Sequence, residues 1–224
     1  MNQVPLFGAR LSKSQSAQGR ELIARGVVPS VSLSAFRYDL SDSDRNAVAM
    51  LCAVNGMQNL SSPSPRGDQA TSYLAGDLPR NTIGAIDYCG SAVFGKEELL
   101  LLDGYETQLY NLLIGELESL TLEVDGVPVE LTFPGPARIR VDLAGETPWI
   151  RIRVPVRADT ADAAPYFERL KQDVAGLLLK LQQQGLDPVY FSKYARAQTR
   201  TFAEWKALDW RALYHRANFD IDVV

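Results

Sequence analysis

The segment Trp149-Ile-Arg-Ile-Arg-Val-Pro-Val-Arg157 decides the fold, together with the stretch 163–184 that follows it. Within 149–157, isoleucine and valine alternate with arginine at nearly every position. A period of two is typical of a strand whose one face is buried and whose other face meets water. We therefore predict a half-buried strand from Trp149 to Arg157.

The stretch after this strand has helical spacing instead. Charged and amide side chains lie between apolar residues that recur three or four positions apart. The apolar set is Phe167, Leu170, Val174, Leu177, Leu178 and Leu181. We predict a long helix that is capped by Asp162, has Pro165 in its first turn and ends at Gly185. The helix and the strand can bury each other's apolar faces, which predicts an α+β unit.

The remainder of the second half supports a sheet covered by helices. Alternating runs flank Asp125-Gly126, a strong signal for a β-hairpin. A further strand is predicted over 137–143, helices over 189–200 and 210–215, and a last strand over 217–223. We predict a mainly antiparallel C-terminal sheet with helices packed on one face.

The first half predicts a smaller α+β unit. Apolar runs at 47–54, 83–94 and 99–102 indicate strands, and a helix follows from Tyr105, starting at Asp103 or Gly104. Residues 31–38 fit a strand or a helix equally well. The Ser-, Pro- and Gly-rich stretch 56–82 predicts a long surface loop. We predict two domains, 1–117 and 118–224.

Composition excludes several classes of protein. The chain has 224 residues, 46% of them hydrophobic, and a net charge of −4, which is typical of a globular protein without nucleic-acid binding. No apolar run reaches the ~18 residues that span a bilayer. Cys52 and Cys89 lie in apolar surroundings, so we favour buried free thiols over a disulfide.

The sequence offers little for catalysis. His215 is the single histidine, and its place near a predicted helix end favours a capping or surface role. No serine nucleophile motif, glycine-rich phosphate loop or metal-ligand spacing is present. We predict no catalytic residue, no cofactor site and no metal site, and thus a protein that is not an enzyme.

A row of arginines is the most distinctive surface feature. If the alternation holds, the solvent-facing side of the C-terminal sheet carries Arg138, Arg140, Arg151, Arg153 and Arg157. These residues could form an anion site for lipid headgroups or an acidic partner. They could instead pair across strands with Glu123, Glu130, Asp142, Asp220 and Asp222, and this pairing is the favoured interpretation.

Several of these stretches together resemble one family, the Ger(x)C spore germination proteins. Gly90-Ser-Ala-Val-Phe94, followed by Lys96 and Leu99, is similar to a strand and hairpin of that family. The segment 102–107, Leu-Asp-Gly-Tyr-Glu-Thr, is similar to the start of the family's next helix. The stretches 33–54 and 177–187, the latter ending at Asp187, also resemble family segments, as do Trp205, Trp210 and the strand 217–223.

The resemblance implies a lipoprotein C subunit of a nutrient germinant receptor. Such a subunit is non-enzymatic, assembles with integral-membrane A and B subunits, and is lipid-anchored at the outer face of the spore inner membrane. Family members normally begin with a signal peptide, a lipid-modified cysteine and another domain. We therefore expect this chain to be a soluble piece that contains the middle and C-terminal domains.

Two other classes of function remain open from the residues alone. One is a soluble small-molecule binding module in which the loop 56–82 acts as a lid over a pocket. The other is a hydrolase, which is disfavoured because only His215 could serve as a base at neutral pH.

Overall fold

The computed structural model describes residues 20–21, 23–26, 29, 33–41, 44–54 and 86–224, without the side chains of 33, 52–54 and 86–89. The loop predicted over 56–82 lies outside these ranges. So do the side chains of Cys52 and Cys89, and the state of the two thiols therefore stays a prediction.

The described ranges combine helices with mainly antiparallel strands, which confirms the predicted α+β class. The helices are α1 Leu33–Ser41, α2 Gly104–Ile114, α3 Ala164–Gln183, α4 Phe191–Arg196, α5 Phe202–Ala207 and α6 Trp210–His215. The strands are β1 Ala47–Val54, β2 Ile86–Phe94, β3 Leu99–Asp103, β4 Ser119–Val124, β5 Val127–Thr132, β6 Arg138–Asp142, β7 Trp149–Val154, β8 Arg157–Ala158 and β9 Asn218–Val223.

The predicted strand Trp149–Arg157 is divided in the structure. Its first part is β7, and its last residues form β8, which pairs with β5 in a different sheet. Pro155 lies at the division, where its ring removes the N–H that a continuing strand would donate. The predicted buried face is confirmed, since Ile150, Ile152 and Val154 are almost completely buried.

The long helix α3 confirms the predicted apolar stripe. Its buried residues include Leu170, Val174, Leu177, Leu178 and Leu181, each worth roughly 1.5–3 kcal/mol when transferred from water. Its start differs from the prediction, because the cap residue is Ala163 and no side chain, including that of Asp162, caps it. The first turn accommodates Pro165, because proline has no backbone N–H and the N–H groups of a first turn have no acceptor within the helix.

The C-terminal strands form two three-stranded sheets, β4-β5-β8 and β6-β7-β9, rather than the single sheet that was predicted. The predicted hairpin joins β4 and β5, where Asp125 and Gly126 both have positive φ, as a tight turn of type I′ requires. Helix α3 packs against β4, β9 and α2, and therefore covers strands of both sheets.

The last strand, β9, runs parallel to β7 within a C-terminal part that was predicted to be mainly antiparallel. The helices α3 to α6 separate these strands in sequence. A chain that leaves a strand, forms helices on one face and returns to its neighbour arrives in the same direction as it left. The parallel pairing is thus a consequence of this helical crossover.

The first half forms a third sheet, β1-β2-β3, which is antiparallel throughout. The stretch that fitted either a strand or a helix is the helix α1. The predicted start of α2 is confirmed: Asp103 caps it in a capping box, in which the Asp103 carboxylate accepts from the N–H of Glu106. Gly90 has φ 146°, and a Cβ there would lie 2.0 Å from the Leu102 carbonyl oxygen, so only glycine fits.

One apolar cluster runs through the described part of the chain. It includes Val48 and Val93 from the first sheet, Leu109 from α2, Leu178 from α3 and Ile221 from β9. The two halves therefore share packed side chains. The division into domains 1–117 and 118–224 stays a prediction.

Candidate functional site

A cleft of about 780 Å³ lies where the first sheet meets the C-terminal helices. One wall comes from residues next to the paired ends of β1 and β2, and the other comes from α5 and α6. Its lining residues are Asp39, Leu40, Ser41, Asp44, Arg45, Asn46, Phe94, Gly95, Lys96, Gly185, Asp187, Trp205, Lys206, Asp209, Trp210, Arg211 and Tyr214. The cleft is thus built from segments that are far apart in the sequence.

Asp187 is the most deeply buried charged group of this cleft, with only 5% of its surface exposed. It comes just after the left-handed Gly185, which ends the α3 segment and turns the chain inward. Its carboxylate accepts hydrogen bonds from the backbone N–H groups of Phe191 and Ser192, both at 2.9 Å, and from the indole of Trp210 at 3.2 Å. One side chain therefore orients both α4 and α6.

Burial decides the ionisation of this carboxyl. Desolvation raises the pKa of Asp187 to about 6, although the N–H groups of Ser192 and Phe191 act to lower it. Burial also raises the pKa of Tyr214, and the neighbouring charge of Asp187 adds to that effect. Asp187 therefore titrates close to neutral pH.

Direct hydrogen bonds connect the cleft's two walls. Asn46 accepts from the backbone N–H of Asp187 at 2.6 Å and donates to the carbonyl of Phe94 at 3.0 Å. Asp44 accepts twice, its backbone carbonyl from the Ser192 hydroxyl at 2.6 Å and its carboxylate from the Trp205 indole at 2.9 Å. These contacts hold the first half of the chain against α4 and α5.

The charged groups around the cleft are mostly matched within the protein. Arg45 forms an ion pair with Asp39 at 3.3 Å and lies over the ring of Tyr190 at 5.6 Å. Arg211, which lines the cleft, forms an ion pair with Glu98 at 2.7 Å. The arrangement supplies packing and orientation.

Two further observations bear on catalysis and on membrane insertion. His215 is exposed at the last residue of α6, and in the described residues no three His, Cys, Asp or Glu side chains are grouped to hold a metal. Across those same residues, no helix has the length and apolar character to cross a bilayer.

The structure brings four of the five predicted arginines together. Arg138 and Arg140 on β6 lie directly opposite Arg153 and Arg151 on β7, and all four are exposed. The prediction is wrong for Arg157. This residue belongs to β8 and pairs with Thr132 of β5, because the chain changes sheet after Pro155. We call the four arginines Arg138, Arg140, Arg151 and Arg153 the arginine face.

The predicted cross-strand pairing explains part of this face. Arg153 reaches Asp222 at 3.1 Å, and Arg151 lies 3.8 Å from both Asp142 and Asp220. Glu123 and Glu130 belong to the β4-β5 hairpin in the other sheet. Arg138 and Arg140 have no carboxylate of the described residues within ion-pair distance. The face therefore contains two paired and two unpaired arginines.

Replacing Arg138 by threonine should raise the free energy of unfolding by about 0.2–1 kcal/mol at low salt. Like charges directly opposite each other on neighbouring strands are destabilising, and Arg138 faces Arg153. Urea unfolding measures the change, and added salt should reduce it. Arg153→Thr is the matched control: it removes the same repulsion but also the bond to Asp222, so it should give less or no gain. Equal destabilisation by both variants would contradict this account.

Comparison with known proteins identifies the family of the chain. Residues 89–224 match the family model described as spore germination B3/GerAC-like, C-terminal. Because this match covers more than half of the chain, the chain belongs to that family, as the sequence resemblance predicted, and this connects it with spore germination.

A particular solved structure then shows the fold. The crystal structure of the GerBC protein is similar with a TM-score of 0.52 and 20% sequence identity. The similarity covers 62% of this chain and 51% of that one, so the matched part spans about half of that chain's length. No curated protein matches this sequence.

Proposed function

We propose that this chain is part of a C subunit of a nutrient germinant receptor and serves its assembly or signalling during spore germination. The observation that carries the proposal is the family match over 89–224. The likeness of the fold to the GerBC protein supports it. In this proposal the partners are the integral-membrane A and B subunits, and the full-length protein is lipid-anchored at the outer face of the spore inner membrane.

The proposed role is non-enzymatic. Asp187 is the carboxyl whose pKa burial raises, and its oxygens accept hydrogen bonds from three N–H groups of the protein. A catalytic carboxyl must reach substrate, and these contacts leave Asp187 oriented towards the protein. The geometry around it fits a structural junction between the two halves of the chain.

Tagging the protein in its own organism tests this role. The tagged protein should sediment with spore membranes, and affinity purification in mild detergent should recover multi-span membrane proteins with it. Spores that lack the gene should respond more slowly to nutrients, while a nutrient-independent trigger should act normally. A tagged protein that stays in the soluble fraction without membrane partners would overturn the proposal.

The cleft favours a second candidate, a small-molecule binding module. Its volume of about 780 Å³ is in the usual range for ligand pockets, and Trp205, Trp210 and Tyr214 supply aromatic surface. The lid of this candidate, the loop 56–82, lies outside the described residues.

Calorimetric titration separates the two candidates. Amino acids, sugars and nucleosides would be titrated individually into the purified chain. A saturable response that Trp205→Ala weakens would support the binding module. The receptor-subunit proposal expects no saturable response from any of them.

A further inference from the structure

The arginine face contains a mismatch of charge that the fold does not resolve. Arg138 and Arg140 are exposed on the edge strand β6, and each lies directly opposite another arginine of β7. A guanidinium cannot lose its proton at physiological pH, so both residues present a permanent positive charge. Carboxylates placed next to Arg138 and Arg140 would neutralise these two charges.

The opposite edge strand of the same sheet, β9, shows how carboxylates can pair with these arginines. Strand β9 carries Asp220 and Asp222 two residues apart, directly opposite Arg151 and Arg153. The carboxylates lie 3.8 Å and 3.1 Å from their arginines. An extended segment with acids at alternate positions therefore has the spacing that two arginines on one strand require.

We propose that Arg138 and Arg140 bind an acidic extended segment of a partner protein, with carboxylates two residues apart. Complementary charge supplies the recognition, and the guanidinium groups can each take a carboxylate in a two-pronged contact. The Gln198 side-chain amide already donates to the carbonyl of Val141 on β6. Because this bond occupies a backbone carbonyl of β6, we expect the segment to bind through the two arginine side chains rather than as a complete additional strand.

An acidic protein segment fits this surface better than an anionic membrane does. Asp142, Asp220 and Asp222 share the solvent-facing side of the sheet, and the whole chain has a net charge of −4. A flat anionic bilayer would meet those carboxylates as well as the arginines. A narrow segment along β6 lies beside Arg138 and Arg140, and the one carboxylate of that strand, Asp142, lies 3.8 Å from Arg151. Binding of such a segment at this sheet does not depend on the receptor role.

Fluorescence anisotropy with a synthetic peptide tests the proposal on the whole chain. The probe is a labelled Ser-Thr-Asp-Val-Asp-Thr-Ser peptide at low salt, and its partner probe has asparagine in place of both acids. We expect saturable binding of the acidic probe only. The double variant Arg138→Ser/Arg140→Ser should weaken it about tenfold, as expected for the loss of two exposed ion pairs.

Matched variants separate this site from general electrostatics. Arg200→Ser/Arg216→Ser removes the same charge from exposed positions elsewhere and should leave the affinity unchanged. Arg138→Lys/Arg140→Lys keeps the charge but loses the two-pronged contact, so its affinity should fall between those of the wild type and the double serine variant. Equal loss in the two serine variants would overturn the proposal. So would binding of phosphatidylglycerol vesicles that depends on Arg138 and Arg140 while the acidic peptide does not bind.

Discussion

Replacing Asp187 by alanine should lower the free energy of unfolding by about 3 kcal/mol at pH 7. The variant leaves three buried donors without an acceptor: the N–H groups of Phe191 and Ser192 and the indole of Trp210. Each unsatisfied buried donor costs about 1–3 kcal/mol. Burial raises the pKa of Asp187 and so offsets part of the worth of these hydrogen bonds, which places the expected net loss near the lower end of the summed costs.

Urea unfolding followed by tryptophan fluorescence measures this loss. Asp159→Ala is the matched control, because Asp159 is exposed and its replacement should change stability by less than about 0.5 kcal/mol. Asp187→Asn should fall between the wild type and the alanine variant, since it keeps one acceptor oxygen. A loss below about 1 kcal/mol in Asp187→Ala would show that Asp187 is not what holds α4 and α6 in place.

The importance of Asp187 could not be predicted from local sequence patterns. Its partner Asn46 lies 141 positions away, and Asp44 meets Trp205 across 161 positions. Periodicity reports on neighbours within a few turns of helix or strand, so it contains no information about such contacts. The sequence did indicate Asp187 through the family resemblance, as the residue at the end of the stretch 177–187, but it did not indicate a role.

The elements that were predicted well are those whose own side chains determine them. The buried faces of β7 and α3 follow from apolar spacing, and the β4-β5 turn follows from Asp125-Gly126. The apolar pattern did not predict helix α5, because Trp205 is its one buried residue and a period needs at least two. The parallel pairing of β9 was missed because strand direction depends on the path of the crossover rather than on the strand itself.

The arginine face shows what the alternation of residues can predict and what it cannot. Alternation placed Arg138, Arg140, Arg151 and Arg153 on one side of a sheet, and the structure does the same. Alternation also placed Arg157 there, because the pattern continues through Pro155 without a change of period. The sheet change at that residue depends on pairing with β5, a partner that the alternation does not reveal. Pattern therefore predicts which way a side chain points more reliably than which sheet it joins.

The stabilisation that Asp187 provides should decrease as the pH rises from about 4 to above 6. Burial raises the pKa of Asp187 to about 6 in the folded chain, above its ordinary value of 3.8. Between these values the folded chain holds the proton and the unfolded chain does not, so the contribution is fully present below about pH 4. It is lost as the pH passes through 6, and the total difference is about 3 kcal/mol.

Comparing the wild type with Asp187→Asn isolates this effect, because asparagine does not titrate and the other acids of the cleft, Asp39, Asp44 and Asp209, are present in both proteins. The stability advantage of the wild type, measured by urea unfolding, should fall by about 2 kcal/mol between pH 4.5 and pH 7.5. The same comparison with Asp159→Asn should be flat. If the advantage instead grew with pH, the N–H donors around Asp187 would outweigh its burial, and the carboxylate would be a charged anchor of the cleft rather than a group poised to take up a proton.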